Sequence, residues 1–283
     1  MRFGVNTWVW TSPLTTSELE TLAPKVKQMG FDWIEVPFEG VDDFDPSEAG
    51  RIVKDNGLGV SAAAAIGPDR DLIHPDASIR ENGMNYIRAC IDACQKIGVQ
   101  NLIGPIYAAV GRTWQQTADE RKHDVDLLVQ NLSRLSQYAQ DRGVVLCIEP
   151  LNRFETSFIN TCEQVIEVID RVNSPSCGIL LDTFHMCIEE KSLGAAIRLA
   201  GISRLKHFHA CENDRGAPGS GHVPWADVAQ ALKDIGYDGA VVIESFTDKV
   251  KSIARAAAIW RAFEPSQDAL AQNGLKFLKG LLA

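Results

Sequence analysis

The sequence lacks several features that would assign the chain to a specialised class of protein. Its 283 residues contain no apolar run near the roughly 20 residues of a membrane-spanning helix, and a predicted strand begins directly after Met1, where a secretory signal would lie. Its seven cysteines form no CxxC pair and do not indicate a disulfide framework. Acidic residues outnumber basic ones, 37 to 28, and give a formal net charge of -9. This negative charge argues against nucleic acid or an anionic membrane as a partner. We therefore expect a cytoplasmic protein that binds neither.

The first strand-to-helix turn, Asn6-Thr-Trp-Val-Trp-Thr-Ser-Pro13, also lacks the Gly-x-Gly sequence of a dinucleotide-binding fold. What the chain has is a regular alternation of short apolar runs with longer amphipathic runs, which is typical of α/β proteins. We predict eight strands, each followed by a helix, at residues 2–7, 33–37, 59–65, 101–104, 144–149, 178–182, 205–209 and 240–244. The first helix should begin with a capping box at Thr15-Thr-Ser-Glu18, and the helix after the eighth strand is expected at residues 250–263. An open sheet is possible in principle, but the missing fingerprint favours a closed (β/α)8 TIM barrel.

No linker or repeated block interrupts this series, so we expect one domain over residues 1–283. A further amphipathic segment at residues 267–282 exceeds what eight strand-helix units need. It predicts an extra C-terminal helix that closes one end or edge of the barrel or packs on a partner subunit.

Four consecutive predicted strands end in residue types that bind metals. The residues are Glu149, Asp182, His209 and Glu244, separated by 33, 27 and 35 positions, and a strand-helix unit takes roughly 30 residues. The carboxyl ends of parallel barrel strands meet at one rim, so these side chains should converge. Three carboxylates in a water-poor cleft repel one another, and a divalent cation offsets that repulsion. The alternative is that each charged residue merely ends its strand at the solvent boundary.

The set has three oxygen ligands and one nitrogen ligand, with room for water. Such a set suits a hard, six-coordinate ion and differs from the ligand set of a thiolate-type zinc site. The predicted cofactor is therefore one divalent cation, Mn²⁺ in preference to Co²⁺ or Mg²⁺.

Loops near the same rim carry candidates for substrate binding. Glu155, His185 and Arg215 follow strands five, six and seven. Each has a plainer interpretation, because Glu155 could pair with Arg153, His185 could be a solvated loop histidine, and Arg215 could pair with its acidic neighbours. Aromatic residues of these loops could supply the apolar walls on which a sugar stacks, and they include Trp8, Trp114 and Phe246.

Four segments carry a family resemblance: Ile148-Glu-Pro-Leu-Asn-Arg-Phe-Glu155, Leu181-Asp-Thr-Phe-His-Met186, His207-Phe-His209 with Arg215, and Ile243-Glu-Ser-Phe246. Together they resemble the D-tagatose 3-epimerase / D-allulose (psicose) 3-epimerase family of xylose isomerase-like TIM barrels. The resemblance implies a metal tetrad of Glu149, Asp182, His209 and Glu244. It also implies substrate contacts at Glu155, His185, Arg215, Trp114, Gly67, Trp8 and Phe246.

The implied reaction is inversion at C3 of an unphosphorylated ketose of the D-tagatose, D-fructose/D-allulose or L-ribulose type. The proton is removed and returned through a cis-enediolate held on the metal, with Glu149 and Glu244 as the catalytic acid and base. The small-molecule partner is thus a sugar, and a homodimer or homotetramer is expected. The segment Ala64-Ala-Ile-Gly67 is less polar than the family pattern, so the identity of the sugar transfers less well than the reaction.

Other functions remain open on the sequence alone. An aldose-ketose isomerase usually needs a second metal and a lysine, and the predicted rim has no lysine. Another branch of the superfamily acts on keto-glycosides or inositol-derived ketones. A nuclease of the endonuclease IV type should have more than six histidines and a basic surface. A non-catalytic sugar-binding protein is the last alternative.

Overall fold

A computed structural model of the protein describes residues 1–282. Its eight strands are parallel and form one closed barrel in which each strand pairs with its neighbours in the chain and β1 pairs with β8. The predicted (β/α)8 barrel is therefore confirmed. The strands are β1 (Arg2–Asn6), β2 (Trp33–Phe38), β3 (Gly59–Ala64), β4 (Asn101–Gly104), β5 (Val145–Ile148), β6 (Cys177–Asp182), β7 (Leu205–His209) and β8 (Ala240–Ile243).

In the described residues 1–282, ten α-helices surround the strands. They are α1 (Thr16–Gln28), α2 (Pro46–Asp55), α3 (Ala77–Ile97), α4 (Ala118–Gln140), α5 (Cys162–Val172), α6 (Thr183–Glu189), α7 (Leu193–Arg204), α8 (Trp225–Asp234), α9 (Lys251–Ala256) and α10 (Gln267–Leu282). The predicted capping box at α1 is confirmed, since the backbone N–H of Glu18 donates to the Thr15 hydroxyl and the Glu18 carboxylate accepts from the Thr15 backbone.

The barrel is buried on both of its faces, as expected for parallel strands covered by helices. Every residue of β6 and of β8 is buried. Because all strands run in the same direction, the residues at their carboxyl ends share one rim. The register brings Asp182 directly beside His209 on that rim.

Two sequence-based assignments need correction. His185 was expected in a loop, but it lies in the short helix α6, because the Asp182 side chain accepts a hydrogen bond from the Phe184 backbone N–H and caps the helix start. The helix expected at residues 250–263 is shorter, and α9 ends at Ala256 with Ala258 in the left-handed region (φ 54°). A left-handed residue of this kind ends a helix.

The extra C-terminal helix α10 is confirmed, and it packs on β1, β8 and α8. Its apolar face buries Leu270, Leu275 and Leu278, and Asp268 accepts a hydrogen bond from the indole of Trp10 at 2.7 Å. Among residues 1–282, no helix combines the length and the apolar character that crossing a bilayer requires.

Candidate metal centre and active site

The four predicted ligands meet at the carboxyl end of the barrel. One ligand atom each from Glu149, Asp182, His209 and Glu244 lies within 4.8 Å of the others, and all four residues are buried. The Nδ1 atom of His209 lies 3.5 Å from Glu244 Oε1 and 3.9 Å from Asp182 Oδ2. The structure thus brings together side chains from four different strand ends, as the spacing of the sequence predicts.

The unpaired polar atoms of this cluster fit a divalent cation. Within residues 1–282, Glu149 Oε1 and His209 Nδ1 are buried and have no hydrogen-bond partner, and such orphaned atoms are rare in folded proteins. Burial raises the pKa of the Glu149 carboxyl well above its usual value, and the charge of the neighbouring Glu244 raises it further. Three oxygen donors and one imidazole nitrogen match the ligand preference of Mn²⁺, Mg²⁺ or Co²⁺.

A guanidinium lies beside the same carboxylates. Arg215 Nη1 donates to Asp182 Oδ2 and to Glu244 Oε2, both at 2.7 Å, and its Nη2 atom lies 3.1 Å from His185 Nε2. Arg215 is 5% exposed and has a left-handed backbone with φ of 70°. A non-glycine residue in this region is strained, and such strain is concentrated at functional sites.

The pKa values of the two facing glutamates move in opposite directions. Burial acts to raise the pKa of Glu244, but the charges of His209 and Arg215 outweigh burial and lower that pKa to about 2. Glu149, as above, has a raised pKa. A pair of carboxyl groups whose pKa values differ in this way is suited to acid-base chemistry.

The imidazole of His185 is buried against this cluster. Burial lowers the pKa of His185 well below its usual value, and the charge of Arg215 lowers it further, so the ring is neutral. Its Nδ1 atom accepts a hydrogen bond from the Asn152 backbone N–H at 3.0 Å.

The sequence allows two roles for Glu155, a contact with a ligand or a surface ion pair with Arg153. The Glu155 carboxylate accepts a hydrogen bond from the Asn152 side chain at 2.9 Å. Arg153 pairs instead with Glu189 at 2.9 Å, so Glu155 is left facing the cavity that adjoins the metal ligands.

This cavity has a volume of about 330 Å³ and opens over the cluster. Its polar end is formed by the catalytic and binding candidates Glu149, Glu155, His185, Arg215 and Glu244. The rest of its wall is mostly apolar, and it includes the predicted residues Trp8, Gly67 and Phe246. The rings of Trp8 and Phe246 have centroids 5.4 Å apart, which gives one continuous apolar wall.

Comparison with known proteins identifies the family of this chain. A family model described as "Xylose isomerase-like TIM barrel" matches residues 23–281. The chain belongs to the xylose isomerase-like TIM barrel family. Within that family it is 34% identical over 280 residues to a probable ketose 3-epimerase of Synechocystis sp., a match that covers 99% of this chain and 96% of that protein.

Two more members of the family are similar over most of their length. The chain is 33% identical over 266 residues to D-psicose 3-epimerase of Agrobacterium fabrum, covering 91% of each protein. Among solved structures it resembles D-allulose 3-epimerase from Methylomonas sp., with a TM-score of 0.93 and 28% identity over 100% of this chain and 98% of that one. The relatives named here are ketose 3-epimerases, and the chain is an enzyme of the isomerase class.

In this xylose isomerase-like barrel, one predicted substrate contact lies away from the cavity. Trp114 is 53% exposed and lines a different cleft. Its ring lies 4.5 Å from the guanidinium carbon of Arg112, and Arg112 is held by an ion pair with Asp124 at 2.5 Å. These contacts hold the indole outside the cavity, so its position does not support the predicted contact.

The sequence-based site also missed Glu35, which lies in β2 and contacts the candidate metal ligand His209. Glu35 is fully buried, and its two carboxylate oxygens lie 2.8 Å from the Nε2 atoms of His209 and His207. Ser61 and Asn6 donate further hydrogen bonds to it at 2.7 and 2.9 Å. The sequence did contain a signal for this residue, because Glu35 is the one charged residue in the otherwise apolar strand β2.

Proposed function

We propose that the chain is a metal-dependent ketose 3-epimerase that interconverts C3 epimers of unphosphorylated ketohexoses or ketopentoses. The observation that carries this proposal is the pair Glu149 and Glu244. They follow β5 and β8, three strands apart around the barrel, and both face the same cavity. Inversion of a C–H centre needs a proton acceptor on one face and a proton donor on the other.

The pair can exchange these roles according to the direction of the reaction. One of the two glutamates accepts the proton from C3 in one direction, and the other delivers a proton to the opposite face. For the other epimer the roles reverse. When bound by the four ligands, preferably as Mn²⁺, a divalent cation supplies positive charge that stabilises the negative charge developing on the substrate oxygens.

The neighbouring side chains orient the ketose. Arg215 and His185 present N–H donors towards the oxygens of C1 to C3, and Glu155 presents a carboxylate acceptor for a hydroxyl. Trp8 and Phe246 cover the C–H faces of the sugar.

A free ketose fits the cavity better than a sugar phosphate does. Arg215 is the only lysine or arginine among the described residues that line the cavity, and its guanidinium is already bound to Asp182 and Glu244. Phosphate-binding sites usually combine several cationic or backbone N–H donors.

The experiment that tests this function is incubation of the purified protein, with Mn²⁺ in D₂O, with D-fructose, D-tagatose, D-allulose and L-ribulose. We expect formation of the C3 epimer with deuterium incorporated at C3. Retention of the hydrogen with its transfer between C1 and C2 would instead identify an aldose-ketose isomerase. Absence of any new sugar in all four incubations would contradict the proposed function.

A further inference from the structure

Asn152 connects the two candidate substrate-binding residues His185 and Glu155. It is 2% exposed and lies in the loop that follows β5. Its side-chain amide Nδ2 donates to Glu155 Oε1 at 2.9 Å, and the same Nδ2 atom lies 3.0 Å from His185 Nδ1. Its backbone N–H donates to His185 Nδ1 at 3.0 Å.

The backbone contact fixes which ring nitrogen of His185 carries a proton. A backbone N–H is only a donor, so the Nδ1 atom that faces it must be an acceptor without a proton. An imidazole without a proton on Nδ1 is neutral and carries its one proton on Nε2. The tautomer follows from the direction of one hydrogen bond.

The orientation of the Asn152 amide is determined as well. The Phe154 backbone N–H donates to Asn152 Oδ1 at 2.9 Å, and the Glu155 carboxylate accepts from Nδ2. Exchanging the amide oxygen and nitrogen would set two donors against each other at Phe154 and two acceptors against each other at Glu155. The amide therefore presents N–H groups to both His185 and Glu155.

We propose that Asn152 is a positioning residue that holds His185 as a neutral Nε2–H donor and holds Glu155 as an acceptor facing the cavity. The proposal rests on the proposed function for the identity of the ligand. His185 then binds a ketose oxygen as a hydrogen-bond donor, and its Nε2 atom is not available as a base.

With its proton on Nε2, His185 faces a second donor, the guanidinium of Arg215. His185 Nε2 and Arg215 Nη2 lie 3.1 Å apart, and with the proton on Nε2 both atoms are donors, so they do not bond to each other. Two donors held this close can share one oxygen acceptor, which is the arrangement that stabilises developing negative charge. The ketose oxygen at C2 is an acceptor of this kind in the proposed reaction.

The test compares substitutions at two asparagines of the same loop. Asn152→Asp places a carboxylate oxygen against Glu155 and against His185 Nδ1, whereas Asn152→Ala keeps the backbone donor and removes only the amide. Asn160→Asp is the matched control, since its amide donates to the carbonyl oxygens of Leu151 and Thr156 at 2.8 and 2.9 Å. The readouts are KM and kcat for the best ketose, Mn²⁺ affinity by calorimetry, and ¹⁵N NMR of histidine-labelled protein with His185→Gln used for assignment.

In the wild type we expect an unprotonated Nδ1 and a protonated Nε2 for His185. Asn152→Asp should raise KM by about tenfold or more, the effect of one lost hydrogen bond to a charged group, and should leave the His185 proton on Nε2, because the backbone donor remains. Asn152→Ala should raise KM while leaving the His185 tautomer unchanged. Asn160→Asp should lower Tm and leave KM and the His185 spectrum unchanged.

A proton on Nδ1 of His185 in the wild type would overturn the proposal, as would an unchanged KM in Asn152→Asp. Equal increases of KM in Asn152→Asp and Asn160→Asp would reduce Asn152 to a structural loop residue and would also overturn it. A wild-type protein that epimerises no ketose refutes the proposed function, and the NMR measurement still decides the tautomer in that case.

Discussion

Glu35 Oε1 lies 2.8 Å from His209 Nε2, although the two residues are 174 positions apart in the chain. The contact runs between β2 and β7 through the interior of the barrel. It occupies one imidazole nitrogen and leaves Nδ1 directed towards Asp182 and Glu244. A carboxylate that accepts the second N–H of a metal-binding histidine fixes the ring and raises its basicity. Glu35 therefore prepares His209 as a ligand.

The Glu35→Gln substitution should weaken the binding of Mn²⁺ by about 10- to 100-fold, the usual effect of removing such a partner. The amide loses the negative charge that holds the Nε2 proton of His209 in place. Calorimetric titration of the metal-stripped protein measures the effect, and the exposed Glu48→Gln on α2 is the control. Equal affinities in Glu35→Gln and the wild type would contradict the role assigned to Glu35.

Metal affinity should rise with pH. Burial acts to lower the pKa of His209, but Glu35 and Glu244 outweigh burial and raise it well above 6.5; the pKa of Glu149 is raised above 4.5 by burial and by Glu244. Both groups must lose a proton to act as ligands, so protons compete with the cation as the pH falls. Titrations in buffers of different ionisation enthalpy should show proton release on binding, and a pH-independent affinity without release would refute this linkage.

Removing either of the proposed catalytic carboxylates should abolish epimerisation. Glu149→Gln and Glu244→Gln should each lower kcat by at least about a hundredfold, the range for a general acid or base. Circular dichroism should show an intact barrel, because both positions follow the strands and do not form part of their ladders. Each variant should also lose deuterium exchange at C3 in D₂O. Near-normal turnover in either variant would assign the proton transfer to another residue.

A pair of glycines tests how the rim is built. Gly104 and Gly111 both have left-handed φ angles, 121° and 94°. A Cβ added at Gly104 would lie 2.3 Å from the Ala64 carbonyl oxygen, whereas one added at Gly111 would meet nothing within 4 Å. Gly111→Ala should cost about 1–2 kcal/mol, the strain of a left-handed backbone. Gly104→Ala should lower Tm by more, because the β3–β4 backbone must move, and equal Tm values would contradict the close approach.

The sequence predicts the barrel and the convergence of the four candidate ligands because both follow from periodic, local patterns. All eight strands lie within two residues of their predicted bounds, since buried parallel strands appear as short apolar runs. The ligands follow from the same pattern, because each terminates one of these runs. Glu149 and Glu244 lie one residue past their strands, at the rim to which the pattern assigns them.

The parts that the sequence did not predict depend on long-range contacts. Glu35 interrupts an apolar strand, but its partners His207 and His209 are distant in the chain and only barrel closure brings them near. The position of Trp114 depends on Arg112 and on the ion pair that holds it. The local pattern of Thr183–Glu189 is compatible with a helix, and the Asp182 cap could have indicated that His185 lies in one.

The most direct test of this account is a crystal of the protein soaked with Mn²⁺ and measured for anomalous scattering at the manganese edge. The account predicts one strong peak within about 2.5 Å of Glu149, Asp182, His209 and Glu244 together, with the His209 Nε2 atom still bonded to Glu35. A map without a peak among these four side chains, or with its principal peak elsewhere in the molecule, would contradict it.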